Sequence, residues 1–383
     1  MERKRILIAS DATDPHAAAV AYALRKKGHE CEVLYTPDFP TLLTLSLEID
    51  PQDRAHPVVM RGPDLLQADQ SRGFDAVWRR RPAGVVLPDD MHPGDREVAE
   101  RQGEAMLSGL FAFLQRDPRT FWVNSLASDG TAQHKPFQLR AAAASGLSIP
   151  ATLFSNDPGQ IRAFLRKHGG VVAYKLMRPA SWMAEEDGKT RVFGTYTTAL
   201  SEDELPDDDE MIQLCPGIFQ ALLAKSFEVR VCCLGDLFVA ARINSQDDER
   251  ARTDWRAGQF HVEMVPYELP PDVAAACRRL LDELGLVFAS LDFVVDPEGR
   301  HIFLEVNPQG QFLFLEQRTG VPLLDMFAEF LVAGTRDFTW SEDHEVVRFA
   351  EFEPIWKENW AADAARHVRI RGHLGAPDVA ESR

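Results

Sequence analysis

Residues 291–310 have the sequence LDFVVDPEGRHIFLEVNPQG, which predicts two strands joined by the Pro-Glu-Gly turn of residues 297–299. Because side chains alternate along a strand, Glu305 and Asn307 project from one face, and Asp292 can lie on that face in the preceding strand. Two carboxylates and an amide oxygen are suitable ligands for Mg²⁺. The alternative is that Asp292 caps a turn and Glu305 faces solvent, but the apolar neighbours of Glu305 make an unpaired carboxylate costly there.

Two lysines that precede this hairpin in the sequence are candidates for binding anions. Lys175 lies in VVAYKLM, an otherwise apolar strand, so its ammonium group either reaches solvent from the strand edge or points into a site. Lys135 precedes Pro136 at the predicted start of a helix, where unpaired backbone N–H groups favour anions. The alternative for Lys135 is an exposed lysine that binds no ligand.

The segment FQALLAKSFEVRV (219–231) combines a predicted hinge with a predicted strand. The hinge, residues 219–223, can offer backbone hydrogen bonds to an adenine edge. Glu228 and Arg230 are two residues apart and therefore share one strand face, where Glu228 can bind ribose hydroxyls and Arg230 can bind phosphate with its bidentate geometry. A simple cross-strand ion pair is the alternative. Arg242 adds a further cation on a predicted neighbouring strand.

The N-terminal residues predict a parallel α/β unit. A buried strand, RILIAS, is followed by a helix over residues 14–27 and a second strand over residues 31–35. The turn after the first strand, residues 10–14, contains no glycine, so its backbone cannot approach a pyrophosphate closely, and we exclude a Rossmann dinucleotide site. Farther along, EDELPDDDE (202–210) is predicted to be a solvated loop because like charges repel one another; a metal site is the alternative.

Composition and charge narrow the functional classes. The 383 residues are 45% hydrophobic and 26% charged, which predicts two or three globular units of roughly 100–200 residues each. The formal charge of −17 argues against nucleic-acid binding, which requires many Lys and Arg residues. No apolar run approaches the ~20 residues that cross a bilayer, and the N-terminus lacks a secretory signal pattern, so we expect a cytoplasmic protein without membrane contact. The five cysteines are scattered, so we expect buried free thiols rather than disulfides or a zinc site.

Taken in order, Lys135, Lys175, the FQALL hinge, FEVRV, Asp292 and LEVNP resemble the ATP-grasp superfamily. Within it, the sequence is similar to the microviridin-type or graspetide synthetases, which mature ribosomally made peptides. The closer likeness lies in FQALLAKSFEVRVCCLGD, AARINSQ, the Asp-Trp-Arg triplet at 254–256, and the hairpin with the residues that follow it. It covers residues 120–334 and is looser over the N-terminal part, where only the α/β texture matches.

Two positions depart from the family pattern. A carboxylate commonly follows the hinge Gln, but Ala221 occupies that position and removes an expected contact with the adenine amino group. The turn after Asn307 is Pro-Gln-Gly-Gln (308–311), where the family more often has two glycines.

The resemblance implies an α/β (α+β) ATP-grasp fold with an N-terminal parallel α/β pre-ATP-grasp domain. It also implies ATP and Mg²⁺ as cofactors and a homodimer. The expected divisions are 1–124 for the N-terminal domain, 125–215 for the central ATP-grasp subdomain, 216–335 for the C-terminal subdomain with the magnesium site, and 336–383 for a C-terminal extension.

The implied activity is an ADP-forming carboxylate ligation. ATP phosphorylates a carboxylate, and a nucleophile then attacks the acyl phosphate to give an ester or amide. In graspetide-type enzymes, Asp or Glu side chains of a precursor peptide are joined to Ser, Thr or Lys side chains after a leader segment docks. The implied ligands are Lys135 and Lys175 for the α- and β-phosphates, Gln220 and Leu222 for adenine, Glu228 for ribose, Arg230 and Arg242 for the transferring phosphoryl group and acyl phosphate, Arg256 for the γ-phosphate or substrate carboxylate, and Asp292, Glu305 and Asn307 for Mg²⁺.

Several alternatives stay open at this point. The WRRR segment (78–81) is either a cationic patch for an acidic peptide or a solvated strand end. His261 is a candidate general base, although a lone histidine is usually structural. A glutathione-synthetase-like ligase acting on small amino acids or on a protein C-terminus would use the same ATP residues. A third alternative is a nucleotide-binding protein that only presents a leader peptide.

Overall fold

The computed structural model describes residues 2–49, 51–52, 58–65, 73–178, 181–186, 189–194, 197–259 and 261–368. The strands are β1 (Arg5–Ser10), β2 (Glu30–Tyr35), β3 (Thr44–Leu47), β4 (Val58–Arg61), β5 (Ala76–Arg79), β6 (Phe121–Val123), β7 (Thr152–Ser155), β8 (Val171–Leu176), β9 (Ser181–Glu186), β10 (Lys189–Gly194), β11 (Thr198–Ser201), β12 (Gly217–Ala221), β13 (Phe227–Leu234), β14 (Leu237–Ile243), β15 (Met264–Tyr267), β16 (Phe288–Val295) and β17 (His301–Asn307). The α-helices are α1 (Pro15–Lys26), α2 (Pro93–Leu114), α3 (Leu126–Ala132), α4 (Lys135–Ala144), α5 (Pro158–Lys167), α6 (Asp209–Leu214), α7 (Pro271–Leu284), α8 (Leu313–Thr319), α9 (Leu323–Ala333) and α10 (Phe349–Ala365).

The N-terminal sheet is parallel and has the strand order β2-β1-β5-β6. β1 is buried along its whole length because its alternate side chains enter two different cores, with Ile6 and Ile8 in one and Leu7 and Ala9 in the other. α1 begins after Asp14, whose carboxylate accepts a hydrogen bond from the backbone of the second helical residue at 2.8 Å. The predicted parallel α/β opening is therefore confirmed.

Two antiparallel sheets follow, with strand orders β11-β8-β12-β7 and β15-β14-β13-β16-β17. A short segment, residues 222–226, links β12 in the first of these sheets to β13 in the second. One face of the five-stranded sheet packs on α4 and α7, where Val231 and Phe293 contribute to a core with Leu139 and Leu280. The combination of a parallel sheet with antiparallel sheets agrees with the predicted α/β (α+β) class.

Buried polar contacts fasten the N-terminal unit to the turn after β17. The guanidinium group of Arg80 is 0% exposed and donates to the Asp14 carboxylate at 2.9 Å and to the backbone carbonyl of Gln309. His16 Nε2 accepts hydrogen bonds from the backbone N–H groups of residues 312 and 313 at 3.1 and 3.3 Å. Burial and the neighbouring Arg80 lower the pKa of His16 to about 4, so the ring is neutral and its Nε2 is free to accept.

The structure contradicts the prediction that residues 78–81 form a cationic surface patch, and it also contradicts the alternative of a solvated strand end. Trp78 and Arg80 are buried, and Arg79 pairs with Asp129 at 3.1 Å. Sequence inspection missed this because the carboxylates that neutralise the two arginines come from other segments, at Asp14 and Asp129. Only Arg81 of the run is exposed.

Other sequence expectations have mixed outcomes. The acidic run is mostly exposed as predicted, although part of it is helical: a 3-10 turn covers Glu202–Glu204 and α6 begins within it. Within the described ranges, no group of three or more His, Cys, Asp or Glu side chains is arranged to hold a metal ion. All five cysteines are free, and four are buried, but Cys215 is exposed. No helix in the described part of the chain is long and apolar enough to cross a membrane.

We expect Arg80→Met to lower the free energy of unfolding by about 3–5 kcal/mol, because it leaves a buried carboxylate without its cation. Burial alone would raise the pKa of Asp14, but Arg80 and His16 hold it well below its usual value, so the carboxylate stays charged. Urea unfolding measures the loss. The control Arg101→Met, at an exposed helix position, should change the free energy of unfolding by no more than ~0.5 kcal/mol. An Arg80→Met protein as stable as this control would contradict the assigned importance of the pair.

Candidate active site

A cavity of about 610 Å³ lies between the antiparallel sheets and is bordered by the N-terminal unit. Hereafter we call it the cleft. Most of the residues predicted from the sequence line it, and they come from separate elements: β8, β12, the hinge, β13, the 3-10 turn Trp255–Gly258, β16, β17 and the start of α4. The predicted residues found in the cleft are Lys135, Lys175, Gln220, Leu222, Glu228, Arg230, Arg256, Asp292, Glu305 and Asn307.

The register of three strands brings the central charges together. Asp292 in β16 is paired directly with Glu305 in β17 and with Arg230 in β13. Directly paired residues of antiparallel strands project from the same face, and Asn307 follows Glu305 by two residues. The prediction that Asp292, Glu305 and Asn307 share a face is confirmed.

Each of the two central carboxylates has a cationic partner. Arg230 Nη1 donates to both Asp292 oxygens, at 2.8 and 2.7 Å, and the Lys135 ammonium contacts the Glu305 carboxylate. Burial alone would raise the pKa of Glu305, but Lys135 and Lys175 outweigh it and lower the pKa to about 2. Burial raises the pKa of Asp292. The cross-strand ion pair considered as the alternative therefore exists, between Arg230 in β13 and Asp292 in β16.

The two predicted lysines approach Glu305 from different elements. Lys135 is the first residue of α4, which begins one residue before the predicted start at Pro136, and Lys175 lies in β8 of the four-stranded sheet. Burial lowers the pKa of Lys175, while the charge of Glu305 opposes that effect. Both ammonium groups therefore belong to the cleft rather than to exposed surface.

The hinge region places one buried and one exposed residue beside a further ion pair. The Gln220 side chain is buried and donates to the Thr152 hydroxyl at 3.1 Å, whereas Leu222 is 48% exposed. Glu228 accepts from the Lys225 ammonium at 3.1 Å, and burial raises the pKa of its carboxyl group. Lys225 was missed by the sequence analysis, although it lies inside the quoted FQALLAKSFEVRV segment.

The Asp-Trp-Arg triplet presents a fixed cation and an aromatic surface to the cleft. Arg256 donates to Asp254 through Nε at 2.8 Å and Nη2 at 2.5 Å. Burial alone would raise the pKa of Asp254, but Arg256 lowers it to about 2. The Trp255 ring stacks on Phe314 with centroids 5.5 Å apart, and both rings line the cleft. His261 is exposed and does not line the cleft, so its position gives no support to a role as general base.

Arg242 lies outside the cleft, contrary to our expectation. It pairs with Val229 in the β13–β14 register, so it projects from the face opposite to Arg230. Its guanidinium group lies 4.1 Å from the centre of the Phe227 ring and donates to Asn244 at 2.7 Å. The sequence contains the signal that fixes this register: a two-residue Gly-Asp turn (235–236) joins the strands.

The cleft is cationic although the chain is strongly acidic. Among the residues that the structure describes, seven Lys and Arg residues line it, against four Asp and Glu residues. Two of the cations, Arg81 and Arg318, come from segments to which the sequence analysis gave no nucleotide role. A cationic pocket of this kind is suited to ligands that carry phosphate or carboxylate groups.

Known proteins share this architecture. No family model matches the sequence. One similar structure is the crystal structure of macrocyclase MdnC bound with precursor peptide MdnA, from Microcystis aeruginosa MRC. The MdnC sequence is 30% identical to this one, and the superposition covers 86% of this chain and 100% of MdnC with a TM-score of 0.73. A Chryseobacterium gregarium RiPP-associated ATP-grasp ligase, in complex with ADP and a leader and core peptide, is 25% identical over 88% of this chain and 100% of that ligase, with a TM-score of 0.74. The chain belongs to the ATP-grasp ligases. Its structural likeness is to the members that act in ribosomal peptide maturation.

Sequence comparison gives the same family. A probable alpha-L-glutamate ligase 2 from Shewanella amazonensis is 23% identical over 276 residues, which are 70% of this chain and 79% of the relative. A glutathione synthetase from Bradyrhizobium diazoefficiens is 28% identical over 187 residues, which are 48% of this chain and 55% of that enzyme. This ATP-grasp chain is therefore an ADP-forming carboxylate ligase.

We expect Gly310→Ala to weaken ATP binding in the presence of Mg²⁺, because a Cβ atom there would lie 2.0 Å from the Ser290 hydroxyl oxygen and force the turn after Asn307 to move. Isothermal titration measures the affinity. The matched control is Gly109→Ala, since a Cβ atom there meets nothing within 4 Å. Adding Ser290→Gly should restore part of the affinity. Wild-type affinity in the Gly310→Ala protein would contradict the assigned role of the turn.

Proposed function

We propose that this ATP-grasp ligase phosphorylates Asp or Glu side-chain carboxylates of a ribosomal precursor peptide and closes macrocyclic crosslinks. The products would be esters with Thr or Ser or amides with Lys. The observation that carries the proposal is the shared face of Asp292, Glu305 and Arg230 in a cationic cleft. The structural likeness to a macrocyclase bound with its precursor peptide supports a peptide as the substrate.

The nucleotide would lie along the cleft from the hinge to the paired carboxylates. In this proposal Gln220 and Leu222 face adenine and Glu228 binds the ribose hydroxyls. Lys135 and Lys175 bind the α- and β-phosphates, as two ammonium groups near one point favour a polyanion. The hinge lacks a carboxylate at Ala221, so the adenine amino group would contact backbone carbonyls instead.

The residues present fit a magnesium ion. Asp292 and Glu305 are adjacent, partly buried carboxylates on paired strands, and Asn307 adds an amide oxygen on the same face. Both carboxylates are paired with cations, Glu305 with Lys135 and Asp292 with Arg230. A divalent ion could take the place of these cations as the compensating positive charge. When bound, Mg²⁺ would offset the negative charge of the phosphates. We propose these three side chains as its protein ligands.

The proposed reaction has two steps. A carboxylate oxygen of the peptide attacks the γ-phosphorus of ATP, and ADP leaves. A hydroxyl or amine of the peptide then attacks the acyl carbon, phosphate leaves with the bonding electrons, and the proton lost by the nucleophile passes to the departing phosphate. In this proposal Arg230 and Arg256, which both line the cleft, neutralise charge on the transferring phosphoryl group and the acyl phosphate.

No covalent intermediate on the enzyme is required in this scheme. Burial raises the pKa of Cys232 and of Cys277 to about 12, so neither thiol supplies a thiolate near neutral pH. Binding, orientation and charge neutralisation are therefore the contributions that we assign to the protein.

A second candidate is ligation of an amino acid to a carboxylate, since the curated relatives include probable alpha-L-glutamate ligases. Both candidates use the same nucleotide residues and differ only in the acceptor. A free amino acid that supports ADP release without a peptide would favour this second function.

We expect co-expression with a short precursor peptide rich in Thr and in Asp or Glu to yield a peptide that has lost one water per crosslink, measured by mass spectrometry. Asp292→Ala and Glu305→Ala should abolish the mass loss and reduce ADP release by at least ~100-fold, because each removes a proposed magnesium ligand. Glu298→Ala, in the exposed turn of the same hairpin, is the matched control. Near-normal ADP release from both cleft variants would overturn the metal assignment, and an unmodified peptide with the wild-type enzyme would overturn macrocyclisation.

A further inference from the structure

Arg81 combines an unusual backbone conformation with a position in the cleft. It is a non-glycine residue with a φ of 43°, in the left-handed region that L-residues avoid, and its side chain lines the cleft. A strained residue of this kind persists only where its surroundings hold it, and such residues concentrate at functional sites.

The backbone of Arg81 is held by contacts of the preceding residue and by a hydrogen bond of its own N–H group. The preceding residue, Arg80, is buried against Asp14 and the carbonyl of Gln309. The backbone N–H of Arg81 itself donates to Gln309 Oε1 at 3.3 Å, and Gln309 Nε2 donates to Asp129 at 2.9 Å. These contacts of Arg80 and Gln309 therefore fix the backbone of Arg81, while Arg81 itself is exposed.

Like Lys175, Arg81 has no ion pair or side-chain hydrogen bond with any residue that the structure describes. Four of the seven have carboxylate partners: Lys135, Lys225, Arg230 and Arg256. Arg318 donates to backbone carbonyls, and the charge of Glu305 acts on Lys175. Arg81 has no ion pair with any residue that the structure describes, and its neighbour Arg80 carries the same charge. An added anion would therefore be favourable beside Arg81.

Arg81 also lies near Asn307, one of the proposed magnesium ligands, and away from the hinge. It follows β5, at the carboxyl edge of the parallel sheet, where ligands commonly bind in such sheets. Gln309, which contacts the backbone of Arg81, also donates its own N–H to the Asn307 side chain at 2.9 Å. The residues proposed for adenine, Gln220 and Leu222, belong to the hinge between the other two sheets.

We propose that Arg81 binds a carboxylate of an acidic peptide substrate at the end of the cleft beside Asn307. This inference rests on the proposed function for the choice of ligand. The guanidinium group offers planar paired donors that match a carboxylate, and the fixed backbone reduces the entropy lost on binding. The γ-phosphate of ATP has similar acceptor chemistry, so the experiment separates the two ligands.

The test measures binding of a fluorescent hexapeptide of alternating Thr and Glu at low salt, with AMPPNP and Mg²⁺ present. Arg81→Gly should weaken binding at least about tenfold, the expected effect of losing a charge-assisted contact. Its thermal midpoint should stay equal or rise, because glycine adopts the φ of 43° without strain. Arg81→Lys should retain part of the affinity, and the exposed Arg101→Ala should retain all of it.

A Thr-Gln hexapeptide should bind weakly to the wild-type and Arg81→Gly proteins alike. The inference is overturned if Arg81→Gly binds the Thr-Glu peptide as wild type does, if the wild-type protein does not bind it, or if the loss is confined to AMPPNP affinity. Wild-type binding of the Thr-Glu peptide without crosslinking of any co-expressed precursor would overturn the proposed function while leaving Arg81 as a carboxylate-binding residue.

Discussion

The architecture of the cleft depends on neutralising two adjacent, partly buried carboxylates. Asp292 and Glu305 face each other across paired strands, and without partners their desolvation and mutual repulsion would be costly. The compensating cations come from elsewhere in the chain: Arg230 from a third strand, and Lys135 from the first turn of a helix. Neutralisation of one pair of acids therefore positions α4, β13, β16 and β17 against one another.

The N-terminal sheet is coupled to the same site through the turn after β17. Arg80 binds the carbonyl of Gln309, and His16 accepts from the backbone of Phe312 and Leu313, so the turn between Asn307 and α8 is fixed by side chains about 230 to 300 residues away in sequence. Gly310 fits there because a Cβ atom would collide with Ser290. This explains why the turn keeps one glycine even though it departs from the family pattern of two.

Local periodicity was sufficient to predict much of the candidate site. Alternation along strands predicts that Glu305 shares a face with Asn307, and Glu228 with Arg230, and the strand pairing agrees. Periodicity fails where pairing decides the outcome: Arg242 was assigned to the cleft, but the Gly-Asp turn sets a register that sends it to the other face. Arg80 was assigned to the surface, because the carboxylate that permits its burial is 66 residues away. Long-range partners of this kind leave no local pattern.

The contrast between the acidic chain and its cationic cleft has a further consequence. Most cations of the cleft are already paired with carboxylates, so an anionic ligand must compete with those carboxylates. Under the proposed assignment, a nucleotide that binds without a divalent ion would take cations from Asp292 and Glu305 and leave both acids uncompensated. If a nucleotide and a divalent ion bind together, the phosphates would pair with the cations and the divalent ion with the two carboxylates, so no charge would be left unpaired. Under that assignment, the ion pairs would favour joint binding of the nucleotide and the divalent ion over binding of either one alone.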